Sequence, residues 1–316
     1  MRTYRALFLG AMDPATAAAM RGWLSAGHEI AEVWYGQPRW KGAIHRDARY
    51  ALFAPQWSVS TVARRHGIPV RAVPRLASWP ERIDALKAAR ADVLISVYFS
   101  YLVPAEMLEQ FGDRAVNLHP APLPRYRGPT PFHAMVLDRS ILTDGAMTLH
   151  VMTDRFDEGA IIARRPVSFP SDGSLARYML AAATAGRQLL SEALPAYLDG
   201  TISSVPQEAE DATYPRVTAR DLALSSSLHA EDMRFRCMVL ARRRAVRVDG
   251  FPALRIAGFD RELGPPTGNP AQIGLLTVDM DAKDRRVRLI RKRPWSSPLG
   301  KWRDWVTHIA IRDEES

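Results

Sequence analysis

The sequence contains a single cysteine, Cys237, in a chain of 316 residues. One cysteine excludes a disulfide framework within the chain and any metal site built from several cysteines. No run of apolar residues approaches the roughly 18 that a membrane span requires. The apolar stretch near the N-terminus is short and leads into a turn, as in a first strand rather than a signal peptide. We therefore expect a cytoplasmic protein with no membrane association.

Several common catalytic motifs are also missing. "FLGAMD" follows the first predicted strand and contains one glycine, whereas a dinucleotide-binding fingerprint has three. The sequence has no HExxH metal motif and no GxSxG motif for a serine nucleophile. We therefore expect a site without a bound metal.

Basic residues outnumber acidic ones, which gives a net charge of +9. Such a balance favours an anionic partner, for example nucleic acid, a nucleotide or a phosphorylated substrate, but a well-solvated basic surface produces it equally well. The excess is divided almost evenly, with +5 in residues 1–205 and +4 in residues 206–316. Neither part is a basic domain by itself.

The order of predicted elements indicates two domains. Strands and helices alternate over the first 120 residues, which is typical of a parallel, doubly wound sheet. A strand pair and a long helix over residues 174–198 follow, whereas residues 37–57 have no clean period and are predicted to be a loop. After a polar linker near residues 199–220, short apolar runs broken by Gly, Pro and Asp predict a small β domain. We therefore predict a Rossmann-like, mostly parallel α/β domain over residues 1–205 and an OB-like β domain over residues 206–316.

The stretch "NLHPAPLPRYRGPTP" (117–131) is the strongest candidate for a site. Asn117 and His119 lie two residues apart at the end of a predicted strand, so their side chains share one face. In an open α/β sheet, ligands bind beyond the carboxyl ends of the strands. Five prolines follow within twelve residues and stiffen the loop. This pattern predicts a rigid loop beside the side chains of Asn117 and His119.

A carboxylate is needed to orient the imidazole of His119. "VMTDRFDEG" (151–159) offers Asp154 and Asp157 after a later strand. A carboxylate near His119 would fix its tautomer and favour its protonated form. The spacing alone does not choose between the two residues.

Taken together, "NLHPAPLPRYRG" and "FDEGAII" resemble the 10-formyltetrahydrofolate-dependent formyltransferase family, over about residues 5–200. The resemblance implies that Asn117, His119 and Asp157 carry catalysis, with His119 as general base and Asn117 as a donor to the oxyanion. It also implies 10-formyltetrahydrofolate as co-substrate. "SVYFSYLVP" occupies the position of the folate-binding loop of the family, so the expected folate-binding residues are Tyr98, Phe99, Ser100, Tyr101, Leu102 and, after the later strand, Asp154.

The chain departs from the family pattern at two places. "APLP" (121–124) replaces Ser-Leu-Leu-Pro, and the second domain lacks the Pro-Trp-Pro-Gly signature of the methionyl-tRNA and related sugar enzymes. We therefore expect a small, anionic amine acceptor, such as a nucleotide-linked amino sugar, with Arg125 and Arg127 as its ligands. A homodimer is left open.

Three alternatives remain. In a methionyl-tRNA formyltransferase, the loop 37–57, with Arg39, Lys41, Arg46 and Arg49, would contact transfer RNA. The others are a formyltetrahydrofolate hydrolase and an inactive homologue that binds nucleic acid.

Overall fold

The computed structural model describes residues 2–36, 42–99, 101–240 and 246–292. The chain forms two compact units. The first comprises residues 1–131, 142–168 and 178–215, and the second comprises residues 132–141, 169–177 and 216–316. The domain boundary that the sequence predicts, between residues 205 and 206, stays a prediction. No helix of the described residues is long and apolar enough to cross a bilayer.

The first unit is built on a seven-stranded sheet. Its strands, in chain order, are β1 (Arg5–Gly10), β2 (Glu29–Gly36), β3 (Val70–Val73), β4 (Val93–Val97), β5 (Ala115–His119), β6 (Ala146–Val151) and β7 (Ile161–Pro166). Their order in the sheet is β3-β2-β1-β4-β5-β6-β7. The strands from β3 to β5 are parallel, whereas β6 and β7 pair antiparallel. The sheet is therefore mixed. Its antiparallel edge consists of β6 and β7, which the sequence predicts as a strand pair.

The helices lie between the strands or follow them. They are α1 (Pro14–Ser25), α2 (Gly42–Phe53), α3 (Val59–Arg65), α4 (Arg82–Ala89), α5 (Ala105–Leu108), α6 (Pro131–Leu137), α7 (Leu175–Gln188), α8 (Leu194–Leu198) and α9 (Ala230–Leu240). Helix α1 begins where the sequence predicts, because the Asp13 side chain accepts the Thr16 amide proton and Pro14 occupies the first turn. The predicted helix over 174–198 is interrupted by a π-helical turn between α7 and α8.

The prediction of a loop over residues 37–57 is wrong from residue 42 onwards, and residues 37–41 lie outside the described residues. Residues 42–53 form α2, which packs few apolar side chains, since Ile44, Leu52 and Phe53 are exposed. The buried Asp47 carboxylate instead accepts the Val59 amide proton and the Ser60 hydroxyl proton at the start of α3. These polar contacts join α2 to the start of α3.

The central strands β1 and β4 are buried on both faces. Leu7 and Leu9 of β1 and Leu94 of β4 are completely buried in one core cluster, together with Trp34 of β2. Continuous apolar strands of this kind are expected in a parallel sheet that is covered on both sides. This core fixes the positions at which β4 and β5 end.

The second unit contains a five-stranded sheet. Its strands are β8 (Arg247–Val248), β9 (Phe251–Gly264), β10 (Gln272–Ile273), β11 (Thr277–Asp281) and β12 (Arg286–Arg291), in the order β10-β11-β12-β9-β8. All pairings are antiparallel, and the register shifts at three places between β12 and β9. Such irregularities bend the long strand β9. The sequence correctly predicts a β unit here, and its OB-like topology stays a prediction.

Candidate active site

The carboxyl end of β5 brings Asn117 and His119 to one place, as their spacing predicts. Asn117 Nδ2 donates a hydrogen bond to Asp157 Oδ1 at 3.3 Å. His119 Nδ1 lies 3.4 Å from the same carboxylate oxygen. Of the two aspartates that the sequence left open, Asp157 is therefore the one beside His119.

The Asp157 carboxylate is held by donors on several sides. Its second oxygen, Oδ2, accepts the Gly128 amide proton at 2.8 Å. Burial raises the pKa of Asp157, but hydrogen bonds and charge interactions with His119 and His150 outweigh burial and hold the pKa well below the ordinary value of the carboxyl. The carboxylate is therefore ionised throughout the physiological range of pH.

The proline-rich loop fixes the other side of the His119 ring. His119 Nε2 lies 2.9 Å from the Tyr126 carbonyl oxygen. A carbonyl oxygen only accepts, so His119 Nε2 carries a proton in this arrangement. The ring is thus oriented at both nitrogens, by Asp157 on one side and by Tyr126 on the other.

The backbone around the site is in conformations that L-residues seldom adopt. Tyr98, Tyr126 and Asp157 have φ values of 53°, 63° and 58°. Strained conformations of this kind persist only where surrounding contacts determine them, and they concentrate at functional sites. Gly159, of the "FDEG" motif, is required for a different reason: a Cβ atom there would lie 1.9 Å from the Val151 carbonyl oxygen. The chain can return from the Asp157 turn to β7 only with glycine at this position.

His150 is a site residue that the sequence analysis missed. It lies on β6 directly opposite Asn117. Its Nε2 is 3.1 Å from Asn117 Nδ2 and 3.4 Å from Asp157 Oδ1, and its Nδ1 donates to the Val151 carbonyl oxygen at 2.8 Å. The sequence signal for this site residue is a histidine in the mostly apolar strand "AMTLHV". It lies two positions after Thr148, on the same face of the strand.

The sequence analysis also missed Thr148. Its hydroxyl contacts "APLP", the segment in which this chain lacks the serine of the family pattern. Its hydroxyl donates to the Ala121 carbonyl oxygen at 2.6 Å and accepts the Leu123 amide proton at 3.4 Å. The hydroxyl that supports this turn therefore comes from β6. The peptide bond between Leu123 and Pro124 is cis.

Arg125 and Arg127 each contact groups of the protein in the described structure, and their role as substrate ligands stays a prediction. Arg125 forms an ion pair with Asp144 at 2.7 Å, and its guanidinium lies over the Tyr126 ring. Arg127 is buried, with only 6% of its surface exposed, and it donates to Gln207 Oε1 from Nε at 3.0 Å and from Nη2 at 2.8 Å. The sequence predicted both as substrate ligands, but the structure commits Arg127 to contacts within the protein.

A cavity of about 520 Å³ opens beside the Asn117–His119–Asp157 group. This volume lies within the range of small-molecule sites. Of the predicted folate-binding residues, Tyr98, Phe99, Tyr101 and Leu102 line it, joined by Met152, Thr153, Arg155 and Phe156 from the other predicted segment. Asp154 is exposed and is not among the lining residues, and Ser100 lies outside the described residues. Within the described part of the chain, His, Cys, Asp and Glu side chains form no group of three or more that could hold a metal ion.

The arrangement supplies what an acyl-group transfer requires. The Asn117 amide is a donor for a developing oxyanion, and the carboxylate of Asp157 holds a histidine that can exchange protons. The adjacent cavity has flat aromatic walls on one side and the catalytic group on the other. A mixed α/β sheet with such a group at its strand ends defines a catalytic domain for group transfer.

Residues 51–194, which contain Asn117, His119 and Asp157, match the family described as "Formyl transferase". The protein is accordingly a formyltransferase enzyme.

Solved structures of similar fold extend the comparison beyond the matched segment. A sugar 3N-formyl transferase, WlaRD, in the presence of dTDP and 5-N-formyl-THF, has a TM-score of 0.60 at 14% identity, covering 92% of this chain and 98% of its own. The N-formyltransferase of Helicobacter canadensis, in complex with folinic acid and dTDP-3-aminofucose, has a TM-score of 0.61 at 14% identity, covering 92% and 100%. Glycinamide ribonucleotide transformylase 1 of Symbiobacterium toebii has a TM-score of 0.51 at 18% identity, covering 65% and 95%. At these identities, the likeness is one of fold.

Proposed function

We propose that the protein transfers the formyl group of 10-formyltetrahydrofolate to a primary amine of a nucleotide-linked amino sugar. The observation that carries the proposal is the Asn117–His119–Asp157 group, with His119 buried, at the wall of a cavity of about 520 Å³. The two sugar formyltransferases of similar fold, whose structures contain formylated folates and dTDP or a dTDP-amino sugar, support this choice of substrates.

The cavity fits a reduced folate by the shape and chemistry of its walls. Phe99 and Tyr101 stand edge to face with ring centroids 5.5 Å apart, and Leu102, Met152 and Phe156 add apolar surface. A flat heterocycle is stabilised between aromatic and apolar side chains of this kind. The folate supplies the formyl group, and the walls position it against the strand end of β5.

The roles of the three catalytic residues follow from their positions. The Asn117 amide exchanges one of its contacts with Asp157 and His150 for a hydrogen bond to the oxygen of the formyl group as negative charge develops on it. To act as general base, His119 first loses to solvent the Nε2 proton that it donates to the Tyr126 carbonyl and keeps its Nδ1 proton for Asp157. Nε2 of the neutral ring then accepts the proton that the attacking amine loses. Asp157 stays ionised, holds the ring at Nδ1 and stabilises the positive charge that His119 then carries. A new carbon–nitrogen bond to the acceptor replaces the bond to N10 of the folate, which takes up a proton and leaves as tetrahydrofolate.

The acceptor is proposed to be anionic on the basis of the net charge of +9 and of one basic side chain at the cavity. Arg155 lines the cavity, and 74% of its side chain is exposed, with Glu158 at 3.6 Å. A guanidinium on the rim suits a phosphate or diphosphate group. For the transfer-RNA alternative, Arg46 and Arg49 of the predicted contact segment are exposed on α2, and Arg39 and Lys41 lie outside the described residues.

The test offers the purified protein 10-formyltetrahydrofolate with dTDP-3-aminofucose, other amino-sugar nucleotides or methionyl-transfer RNA, and without any acceptor. Release of tetrahydrofolate is followed by absorbance, and the formylated product by mass spectrometry. We expect release to depend on an amino-sugar nucleotide. Equal release without an acceptor would establish a hydrolase instead. A higher kcat/KM for methionyl-transfer RNA, with affinity falling steeply between about 50 and 200 mM salt, would establish the transfer-RNA enzyme.

A further inference from the structure

Residues 205–215, which the sequence predicts to be part of a linker, run along the loops of the active site. We name this segment the strap. It begins with Val205, whose backbone exchanges two hydrogen bonds of 2.8 Å with Ile161 at the start of β7. It ends at Pro215, whose carbonyl oxygen accepts the Thr130 hydroxyl proton at 3.0 Å. The strap therefore contacts both the proline-rich loop and the segment that carries Asp157.

Gln207 joins these two parts of the site through one side-chain amide. Its Nε2 donates to the carbonyl oxygens of Asp157 and Gly159, at 2.8 Å and 2.7 Å. Its Oε1 accepts the two hydrogen bonds from Arg127 described above. Both protons and both lone pairs of this amide are thus in use, so its orientation is fixed.

The other end of the strap holds the backbone on either side of Arg127. The Thr213 hydroxyl accepts the Tyr126 amide proton at 2.7 Å, and the Thr213 carbonyl accepts the Arg127 amide proton at 2.9 Å. The Arg127 guanidinium also donates to the hydroxyl of Tyr214 and lies over its ring. A buried guanidinium is costly unless its protons are bonded, so Arg127 and the strap depend on each other.

The consequences reach the catalytic residues in two steps. The Tyr126 carbonyl orients His119 and the Gly128 amide binds Asp157, so Arg127 lies between two backbone groups that contact the catalytic histidine and carboxylate. Gln207 fixes the same Arg127 and also the backbone of Asp157 itself. Displacement of a catalytic group by about 1 Å can lower a rate by two orders of magnitude.

We propose that Gln207 and Arg127 are positioning residues of the formyltransferase site, through which the strap holds the Tyr126 carbonyl and the Asp157 carboxylate against His119. The proposal rests on the catalytic assignment of His119 and Asp157 above. It gives Arg127 a function within the protein in place of the predicted contact with substrate.

The decisive variant is Gln207→Glu. A glutamate keeps an acceptor for Arg127 and adds an opposite charge, so the contact with the guanidinium is retained. It removes the amide protons and turns a carboxylate towards the carbonyl oxygens of Asp157 and Gly159. Gln207→Ala removes both contacts, and Gln110→Ala, a change at an exposed glutamine of the first unit whose side chain donates to the Glu106 carbonyl oxygen, is the matched control.

Two measurements are made on the full-length protein. Hydrogen exchange with mass spectrometry follows the backbone amides of residues 126–128, whose protons are bonded to Thr213 and Asp157 in the structure. Steady-state kinetics with 10-formyltetrahydrofolate and dTDP-3-aminofucose gives kcat and KM separately. We expect both Gln207 variants to exchange these amides at least about 10-fold faster and to lose about 10-fold in kcat, with KM changed less than about 2-fold.

Gln207→Glu should keep the melting temperature of the wild type, which separates positioning from a merely structural role. Wild-type exchange and wild-type kcat in Gln207→Glu would overturn the proposal, and so would faster exchange with unchanged kcat. If the wild type does not formylate the amino sugar, the proposed acceptor is wrong, and the exchange of residues 126–128 then decides the proposal alone.

Discussion

Two aspartates, one in each unit, have pKa values below the ordinary value for different reasons. On β11, Asp279 lies directly opposite Arg288 of β12, and a bidentate contact of 2.7 Å and 2.6 Å with that guanidinium lowers the pKa of Asp279. At the active site, burial opposes ionisation of Asp157, and His119 and His150 overcome it.

The difference lies in the partners. Arginine is charged at every pH at which the protein is folded, so the Asp279 pair is a fixed cross-strand contact. Histidine gains and loses a proton near neutral pH, so the Asp157 group can change its charge during a reaction. A carboxylate that is buried among titratable partners is therefore the better marker of chemistry.

The largest effect is expected for Asp157→Asn. The variant keeps an acceptor oxygen for only one of the two donors, Asn117 and Gly128, and loses the charge that holds His119, so kcat should fall on the order of 1,000-fold while folate binding persists. Steady-state kinetics and calorimetry with 5-formyltetrahydrofolate measure the two quantities. Asp84→Asn, on the exposed first turn of α4, is the control and should retain wild-type kcat. Comparable kinetics in the two variants would refute the catalytic role of Asp157.

Asn117→Ala and His119→Ala come next, each with a loss of about 100-fold in kcat. Both residues lie at the end of β5 beyond the apolar core, so the variants should remain folded. Circular dichroism and kcat of the purified variants check this. A variant that unfolds would point to a structural role for that residue, and one with wild-type turnover would remove it from the mechanism.

His150 is expected to have a smaller effect, which a pair of variants can resolve. His150→Leu deletes one hydrogen bond to an ionised group, equivalent to a loss of about 10-fold in kcat or more, and it should raise the pKa of Asp157 towards the ordinary value. His150→Gln offers an amide to Asn117 and Asp157 and should recover part of the rate. Identical kcat values for the two variants would show that volume, not hydrogen bonding, matters at this position.

The contribution of Asp157 should also appear in the pH dependence of stability. The pKa of Asp157 is lower in the folded than in the unfolded protein, so its contribution to the free energy of unfolding is present above about pH 3.9 and is lost as the pH falls further. Urea unfolding from pH 6 to pH 3 should show the gap between wild type and Asp157→Asn closing at the acid end. A gap that widens on acidification would contradict the lowered pKa.

The smallest effect is expected for Asp279→Asn. The variant breaks a cross-strand pair at the surface of the small sheet, which should change the melting temperature by only about 1 °C and leave kcat unchanged. Thermal unfolding at low and at high salt measures it. A loss of activity would mean that the small sheet takes part in catalysis.

Much of the first unit follows from its sequence. The alternation of strand and helix predicts β1 to β5, and the spacing of two between Asn117 and His119 predicts their common face, because both are local properties of the chain. From spacing alone, Asp157 could be proposed only as one of two aspartates, since the choice depends on how the turn after β6 folds back to β5. The family resemblance singled it out. His150 was missed because a buried histidine in an apolar strand resembles an ordinary core residue.

The strap could not be predicted for a related reason. "SVPQEAEDATYP" (204–215) is polar, has no hydrophobic period and contains turn residues, which together are typical of a linker. Its order comes from Gln207, Thr213 and Tyr214, whose partners lie some 50 to 90 residues earlier in the chain. Contacts between residues so far apart along the chain leave no local pattern in the sequence.

The strap also bears on how such enzymes can be recombined. A chimera that joins this catalytic unit to the C-terminal module of another protein would naturally be cut in the polar segment after α8, where the sequence is typical of a linker. Because residues 205–215 complete the active site, the crossover must come after Pro215. A recipient spliced earlier would inherit the catalytic residues without the segment that keeps them in place.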